Sequence, residues 1–371
     1  MCQGFVRNNG DLIVCRFFIG AFEAGYVPGC AYLMATYYKR HEFQKRLSLF
    51  WVAGLLAGAF GGLLAYAIDH MDGLGGYSGW RWIFILEGLF SIALAGPAKF
   101  FIADWPEQAK FLTSKERKMM VTRSSQDVGG GARMDRLDLA AWKRILSDWK
   151  LYVGTFIYIN ITVSGYATAL FIPTIVKSLG YSGIQSQVHS IPVWLVTAFV
   201  TLVVSYLTDR LKHRLGFIVF GVIFGSIGYI ILLCQGPVGG GLPDAVRYMA
   251  VFFVSIGCYI VQPVTIVWFA NNLGGHYKRA IGLAIQIGIG NLGGLVASNV
   301  FVPKDAPRYF VGYGVCLATM IMCGTSSIVL ALGLVRENRL REQGKRDDRL
   351  QLDESILGNM GDDDPRFRFT I

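Results

Sequence analysis

Charged residues are scarce in this chain of 371 residues. Asp, Glu, Lys and Arg together make up 16% of it, whereas soluble domains carry about 25%. Hydrophobic residues make up 53%, and 45 residues are glycine, which is more frequent in membrane helices than in soluble ones. This composition excludes an ordinary soluble enzyme and indicates a helical protein embedded in a membrane.

The sequence also lacks the motifs of metal, nucleotide and disulfide chemistry. Its seven cysteines form no CxxC motif or Cys/His cluster, so we expect no zinc site or disulfide framework. There is no P-loop, and Gly288-x-Gly290-x-x-Gly293 lies inside an apolar run with no strand before it, unlike a dinucleotide fingerprint. No paired carboxylates or histidine cluster occur at one depth. We therefore expect no enzymatic activity, no metal and no cofactor.

Nine apolar segments are long enough to cross a bilayer, which takes about 20 residues. No cleavable signal peptide precedes them, because the first apolar run is too long and continues into a basic block. We predict an all-α polytopic membrane protein with spans at 12–37, 47–68, 82–103, 151–173, 190–208, 216–234, 247–270, 280–302 and 309–335.

The net charge of +10 is distributed in short basic blocks between these spans, which is typical of membrane loops and argues against nucleic-acid binding. Most lysines and arginines fall in every second loop, and the positive-inside rule makes those loops cytoplasmic. We therefore expect the N-terminus outside, the C-terminus inside and a plasma-membrane location. An outside N-terminus without a signal peptide leads us to expect further helices upstream.

Four regions follow from this reading. We expect a partial N-terminal bundle of three spans at 1–103, a cytoplasmic central loop at 104–149, a six-helix bundle at 150–335 and a mobile, charged cytoplasmic tail at 336–371. The central loop contains the flexible run Gly129–Gly131 and a capping-box pattern from Thr113 to Glu116, which predicts a surface helix.

Two stretches of the chain resemble each other. Pro28, a basic loop and a glycine-rich helix follow one another, and Pro263, a second basic loop and a second glycine-rich helix follow in the same order. A spacing of six helices predicts the parallel six-helix repeats found in one class of transporters. Chance recurrence is the alternative, since proline kinks and glycine seams are common in membrane helices.

Two ionisable residues lie in the core of the first span. Arg16 and Glu23 are seven positions apart and therefore share one helical face. Arg16 keeps its charge, and its planar guanidinium can bind a carboxylate through two N–H groups. Glu23, in contrast, can titrate. Such a pair predicts that the transport of an anion is coupled to the movement of a proton. A buried ion pair that only joins helices is the alternative. Glu87, near the outer interface, is interpreted as an interfacial anchor.

Uncharged polar residues lie inside several other spans. They line a cavity or form hydrogen bonds between helices, and the sequence alone leaves both open. They are Tyr158, Asn160, Gln262, Gln286 and Asn291.

Several motifs resemble one known family. The string Arg16-Phe-Phe-Ile-Gly20-Ala-Phe-Glu23 with Pro28-Gly29 is similar to the fourth helix of major facilitator superfamily transporters of the anion:cation symporter (allantoate permease-like) family. The loop with Asp209, Arg210, Lys212 and Arg214 resembles the superfamily's signature loop. Asp104-Trp-Pro106-Glu107 and Gly290-Asn291-Leu-Gly293 are also similar, and the resemblance extends to the fungal nicotinic acid and pantothenate transporters of that family.

The resemblance implies a monomeric twelve-helix transporter, of which this chain lacks the first three helices. It assigns substrate binding and proton coupling to Arg16 and Glu23, a substrate contact to Asn291 and gating to the signature loop. With the polar residues Tyr158, Gln262 and Gln286, it predicts proton-coupled symport of a small organic anion such as nicotinate, pantothenate or an allantoate-like carboxylate. The alternative is a truncated or non-transporting relative that acts as a receptor or is inert.

Overall fold

The structure is a computed structural model that describes residues 1–106, 108–127, 134, 136–178, 180, 183–235, 241–306 and 308–371. Within these ranges it has no β-strand, and nine helices are long and apolar enough to cross a membrane. This confirms the predicted all-α polytopic fold. The glycine run 129–131 and Glu107 lie outside the described residues.

Fourteen α-helices are described, and two of the nine spans consist of two helices each. The helices are α1 (Asn9–Glu23), α2 (Tyr26–Tyr37), α3 (Phe43–Asp69), α4 (Gly79–Phe101), α5 (Ser114–Asp127), α6 (Leu139–Leu146), α7 (Trp149–Ser178), α8 (Gly183–Leu211), α9 (Leu215–Leu233), α10 (Asp244–Asn271), α11 (His276–Gly290), α12 (Gly293–Val300), α13 (Phe310–Glu342) and α14 (Glu354–Gly358). The spans are α1–α2, α3, α4, α7, α8, α9, α10, α11–α12 and α13.

The two interrupted spans have different causes. Between α1 and α2, Pro28 has no N–H to donate to the carbonyl of Ala24, so one helical hydrogen bond is missing there. The neighbouring bonds remain, since Ala24 N–H donates to the Gly20 carbonyl at 2.9 Å and Gly29 N–H donates to the Gly25 carbonyl at 3.0 Å. Between α11 and α12, the chain tightens into 3₁₀-type bonds, with Gly294 N–H donating to the Asn291 carbonyl at 2.9 Å. Pro263, the counterpart of Pro28 in the sequence repeat, lies inside the continuous helix α10.

Helix α10 lies at the centre of the packing. In its most apolar stretch 89% of residues are buried, against 6% in the spans α1–α2 and α4. It packs closely on α9, where a Cβ added to Gly257 would lie 2.6 Å from the Cα of Gly225. It also contacts α3, α7 and α8, while α3 packs on α8 and α2 packs on α11. The first three spans therefore meet the last six through α2 and α3.

The loop between the third and fourth spans contains the predicted surface helix, α5. Thr113 N–H donates to Glu116 Oε2 at 2.8 Å, and Glu116 N–H donates to Thr113 Oγ1 at 3.3 Å. These reciprocal bonds confirm the capping box. The backbone and side-chain hydrogen bonds from Thr113 also lower the pKa of Glu116 below its usual value.

The tail differs from the prediction of a mobile segment. Helix α13 continues to Glu342, beyond the predicted end of its span, and residues 361–371 are largely buried against the helix ends. Phe367 is 1% exposed and Asp362 is 0% exposed. A highly charged composition is typical of a mobile segment. Composition does not show that the charges in the tail have partners on helices that are distant in sequence.

Candidate functional site

A cavity of about 200 Å³ lies among the helices that join the first three spans to the last six. Its walls come from α2, α3, α7, α10 and α11 and from the 3₁₀ turn between α11 and α12. The residues that line it are Val27, Trp51, Tyr158, Thr162, Gly165, Tyr166, Ala169, Tyr259, Gln262, Ile287 and Asn291.

Hydrogen bonds fix the orientation of two amide side chains at the cavity. Trp51 Nε1 donates to Gln262 Oε1 at 3.2 Å, and the hydroxyl of Tyr166 donates to Asn291 Oδ1 at 3.4 Å. Gln262 fits because Gly165 faces it, since a Cβ at Gly165 would lie only 2.1 Å from Gln262 Nε2. The bond to Trp51 uses the Gln262 oxygen, so the amide nitrogen remains available as a donor.

Four aromatic side chains surround these amides: Trp51, Tyr158, Tyr166 and Tyr259. Tyr158 is 3% exposed and lies against Gly290, where a Cβ would come within 2.2 Å of its ring. Aromatic faces with a few fixed polar groups can hold a small planar molecule by ring contact and orient it by hydrogen bonds.

Three of the predicted uncharged site residues, Tyr158, Gln262 and Asn291, line this one cavity. Gln286 does not line it. It is 1% exposed, and its Nε2 donates to the Gly154 carbonyl at 3.4 Å, which holds α11 against α7. Asn160 donates to the carbonyl of Phe156 in its own helix at 2.7 Å.

The sequence reading missed Trp51, Tyr166 and Tyr259. Each carries a polar group inside an apolar span, and a buried indole N–H or phenol hydroxyl requires a hydrogen-bond partner. That requirement was the available signal. Aromatic residues are so frequent in these spans that it did not single these three out.

The charged pair of the first span is not at the cavity wall. Arg16 is exposed, and its Cζ lies 5.8 Å from the ring centroid of Phe84 on α4. Glu23 is exposed at the end of α1, just before the interruption, and forms no ion pair with any described residue. Seven residues of helix separate the two by about 10 Å along the axis, too far for a direct ion pair. No lysine or arginine occurs among the described cavity-lining residues.

Glu23 nevertheless lies nearer the cavity than Arg16 does. Tyr166, a cavity residue, is within electrostatic range of the Glu23 carboxylate. Val27, four residues further along the chain, also lines the cavity. The charge of Glu23 therefore contributes to the electrostatic potential at the cavity.

The predicted signature loop comprises the end of α8 and the turn before α9, and it contacts the start of α3. Asp209 Oδ2 accepts a hydrogen bond from the Lys45 N–H at 3.0 Å, in the first turn of α3, where a negative charge is favourable. Arg214 Nη1 donates to Gln44 Oε1 at 3.2 Å, and its Nη2 lies 3.7 Å from Asp209 Oδ1. Arg210 and Lys212 are exposed, and neither side chain forms a hydrogen bond or ion pair with the residues that the structure describes.

Burial dominates the protonation chemistry of Arg214. It lowers the pKa of this guanidinium to about 10, although nearby Asp209 raises it. Arg214 therefore keeps its charge at neutral pH. We call this end of the bundle, where the α2–α3 and α8–α9 loops meet, the basic end. The contacts of Asp209 and Arg214 close the bundle there.

A bundle of membrane helices with a small polar and aromatic cavity between two groups of helices, next to interrupted helices, defines the class of secondary transporters. The family model described as "Major Facilitator Superfamily" matches residues 4–298. The chain therefore belongs to the major facilitator superfamily, a family of membrane carriers.

Relatives agree with this assignment. The chain is 32% identical to an uncharacterized transporter of Schizosaccharomyces pombe over 370 residues, which cover 100% of this chain and 72% of the relative. It is 28% identical to the high-affinity nicotinic acid transporter of Saccharomyces cerevisiae over 334 residues, 90% of this chain and 61% of that protein.

A solved structure shows the same fold. The proton:xylose symporter XylE bound to 6-bromo-6-deoxy-D-glucose superposes with a TM-score of 0.59 at 16% sequence identity. The match covers 82% of this chain and 66% of the symporter.

Proposed function

We propose that the protein carries a small organic anion across a membrane together with a proton, and that the cavity at Gln262 and Asn291 binds the substrate. The observation that supports this most is the cavity itself, a ring-lined chamber with fixed amides at an interrupted helix. Ring faces favour a planar substrate, so nicotinate fits the site better than the flexible pantothenate or an allantoate-like ureide. The nicotinic acid transporter among the relatives agrees with this choice.

In this proposal Arg16 attracts the carboxylate before the substrate reaches the cavity, the amides and Tyr158 bind the ring in the cavity, and Glu23 carries the proton. Arg16 and Glu23 act in sequence along the first span rather than as a direct pair, because they lie about 10 Å apart. Gln286 positions α11 on α7 instead of touching substrate. Asp209 and Arg214 close the basic end, while the exposed charges of Arg210 and Lys212 remain in contact with water there.

The basic end is assigned to the cytoplasm because it collects most of the lysine and arginine of the short loops. The membrane is assigned as the plasma membrane, and the working unit as a monomer.

Uptake of radiolabelled nicotinate into cells that express the chain tests this function. We expect uptake to be faster at acidic than at neutral pH. Gln262→Ala should raise KM by about three- to tenfold, the effect of losing one hydrogen bond and its contacts. Glu23→Gln should remove the pH dependence. The matched control is Asn160→Ala, which removes a buried amide whose hydrogen bond, among the residues that the structure describes, is to Phe156 of its own helix.

The comparison with Asn160→Ala separates binding from folding. Equal losses in Gln262→Ala and Asn160→Ala at matched surface levels would contradict the assignment of the cavity. Nicotinate binding without uptake would indicate a receptor instead of a carrier. Binding of other small carboxylates but not nicotinate would overturn the substrate and leave the site in place.

A further inference from the structure

Residues 361–371, which we call the tail segment, are buried although many of them are charged. Asp362 and Asp364 are 0% exposed, and Phe367 and Phe369 are 1% and 5% exposed. A polar segment is buried in this way only when its charges and backbone groups have partners. The partners lie on several helices at the basic end.

The Asp362 carboxylate joins two helices of the last six spans. It forms ion pairs with Lys150 of α7 and with Lys278 of α11, the latter at 2.7 Å. Both lysines also pair with Asp148, at 3.2 Å and 2.6 Å. The four charges form one closed, buried network in which each lysine contacts both carboxylates.

The remainder of the tail segment is held through its backbone. Arg341 of α13 donates to the carbonyl oxygens of Asp362, Asp364 and Phe367 at 2.8, 3.1 and 2.8 Å. The Thr370 N–H donates to Asn272 Oδ1 at 2.8 Å, at the end of α10. The segment therefore contacts the ends of α7, α10, α11 and α13 together.

The same segment also contacts the first three spans. Arg40, in the loop between α2 and α3, donates to the Arg368 carbonyl at 2.8 Å, and its Cζ lies 4.4 Å from the centroid of Phe367. The Arg214 N–H donates to the Ile371 carbonyl at 3.1 Å, while the Arg214 side chain binds Gln44 of α3. The tail segment thus bridges the two groups of helices next to the Asp209–Lys45 contact.

We infer that the tail segment is a latch that holds the basic end of the carrier closed, and that this end opens only after the segment is released. The two groups of helices cannot separate at this end while Asp362 remains with α7 and α11 and Phe367 remains under Arg40. Among the described residues, the hydrogen-bond and ion-pair partners of Asp362 lie outside α3. The first turn of α3 therefore reports the opening without being bound to Asp362.

Hydrogen–deuterium exchange of the full chain in nanodiscs tests the latch without any substrate. In Asp362→Asn, we expect the amides of residues 43–48 to exchange about tenfold faster, corresponding to about 1.4 kcal/mol. Phe367→Ala should act in the same direction without leaving a buried lysine short of a carboxylate. The control Asp348→Asn removes an equal charge from an exposed position of the tail and should change nothing.

The location of the faster exchange decides between a latch and a local structural role. Faster exchange at 361–371 alone, with residues 43–48 as protected as in the Asp348→Asn control, would overturn the inference. If Asp362→Asn does not fold, Phe367→Ala alone gives the same decision. The readout is independent of transport, so a wrong substrate proposal would leave this result unchanged.

Discussion

Gln262 illustrates how single residues shape the cavity. Its amide oxygen accepts from Trp51 on α3, and its amide nitrogen lies against Gly165 on α7. Three helices therefore determine the position of one side chain, and the space that Gly165 leaves empty is as necessary as the hydrogen bond. A buried amide held in this way is preorganised for a ligand.

Gly165→Ala tests this arrangement. The new methyl group would lie 2.1 Å from Gln262 Nε2, at the flexible end of a side chain, so Gln262 moves and the fold survives. We expect KM for the substrate to rise by about tenfold, the effect of about 1.4 kcal/mol, with little change in thermal stability. Gly216→Ala, which meets nothing within 4 Å, is the control. An unchanged KM in Gly165→Ala would place the substrate elsewhere.

The tail network makes a prediction about pH. Burial alone would raise the pKa of Asp362, but Lys150 and Lys278 outweigh it and hold that pKa well below the usual carboxyl value. The stabilisation is then fully present above the unfolded pKa of about 3.9 and is lost only as the pH falls through the lower folded value. The other charges facing the site are Asp148, Asp363 and Arg341.

We therefore expect residues 361–371 to stay docked between pH 5 and 8. Hydrogen–deuterium exchange at both pH values, corrected for intrinsic rates, should give the same protection for this segment. A loss of protection at pH 5 would show that another group in the network titrates in that range.

At the scale of elements, interruptions and helix starts position the site. The 3₁₀ turn at Asn291 and the interruption before Pro28 place Asn291 and Val27 at the cavity. The start of α3 is fixed by a residue of another helix, since the Asp209 carboxylate binds the Lys45 N–H. Closure of the basic end thus depends on a helix N-terminus and a loop that are far apart in sequence.

Asp209→Asn should loosen this closure. The amide can still accept from the Lys45 N–H, but the charge that favours the helix N-terminus and pairs with Arg214 is lost. We expect a loss of about 1–2 kcal/mol in the free energy of unfolding. Thermal unfolding in detergent measures it, with the exposed Arg210→Gln as the control. Equal midpoints for both variants would show that this contact does not close the basic end.

At the scale of the whole molecule, charge distribution and tertiary contacts agree on two distinct ends. The buried ion pairs of Asp209 and Asp362 lie at the basic end. The exposed Cys2 precedes α1 and the exposed Cys234 follows α9, at the other end. The proposed orientation, with the basic end in the cytoplasm, puts both cysteines outside the cell.

A membrane-impermeant maleimide tests this orientation on intact cells. Cys2 and Cys234 should react, and Cys2→Ser and Cys234→Ser identify their separate contributions. Asp353→Cys, in the exposed part of the tail and in a chain that also carries Cys2→Ser and Cys234→Ser, should react only after the cells are made permeable. Reaction of Asp353→Cys in intact cells would invert the proposed orientation.

The sequence by itself determined the fold class and the spans. In a bilayer every backbone polar group must bond internally, so about 20 apolar residues are enough to predict a helix. The capping box at Thr113 was also predictable, because its two partners are only three residues apart in the sequence. Their polar groups inside apolar spans also indicated Tyr158, Gln262 and Asn291 as candidate site residues, and the structure brings these three to one cavity.

Only the tertiary structure decided which helical faces meet. Gln262 and Gln286 look alike in sequence, yet one lines the cavity and the other packs α11 on α7. Lipid and protein interior are equally apolar, so the hydrophobic pattern of a membrane helix does not reveal its inner face. Trp51 was overlooked because the spans contain many aromatic residues and the pattern does not show which of them face inward. The burial of Asp362 was also hidden, because it depends on Lys150 and Lys278, which only the folded chain brings together.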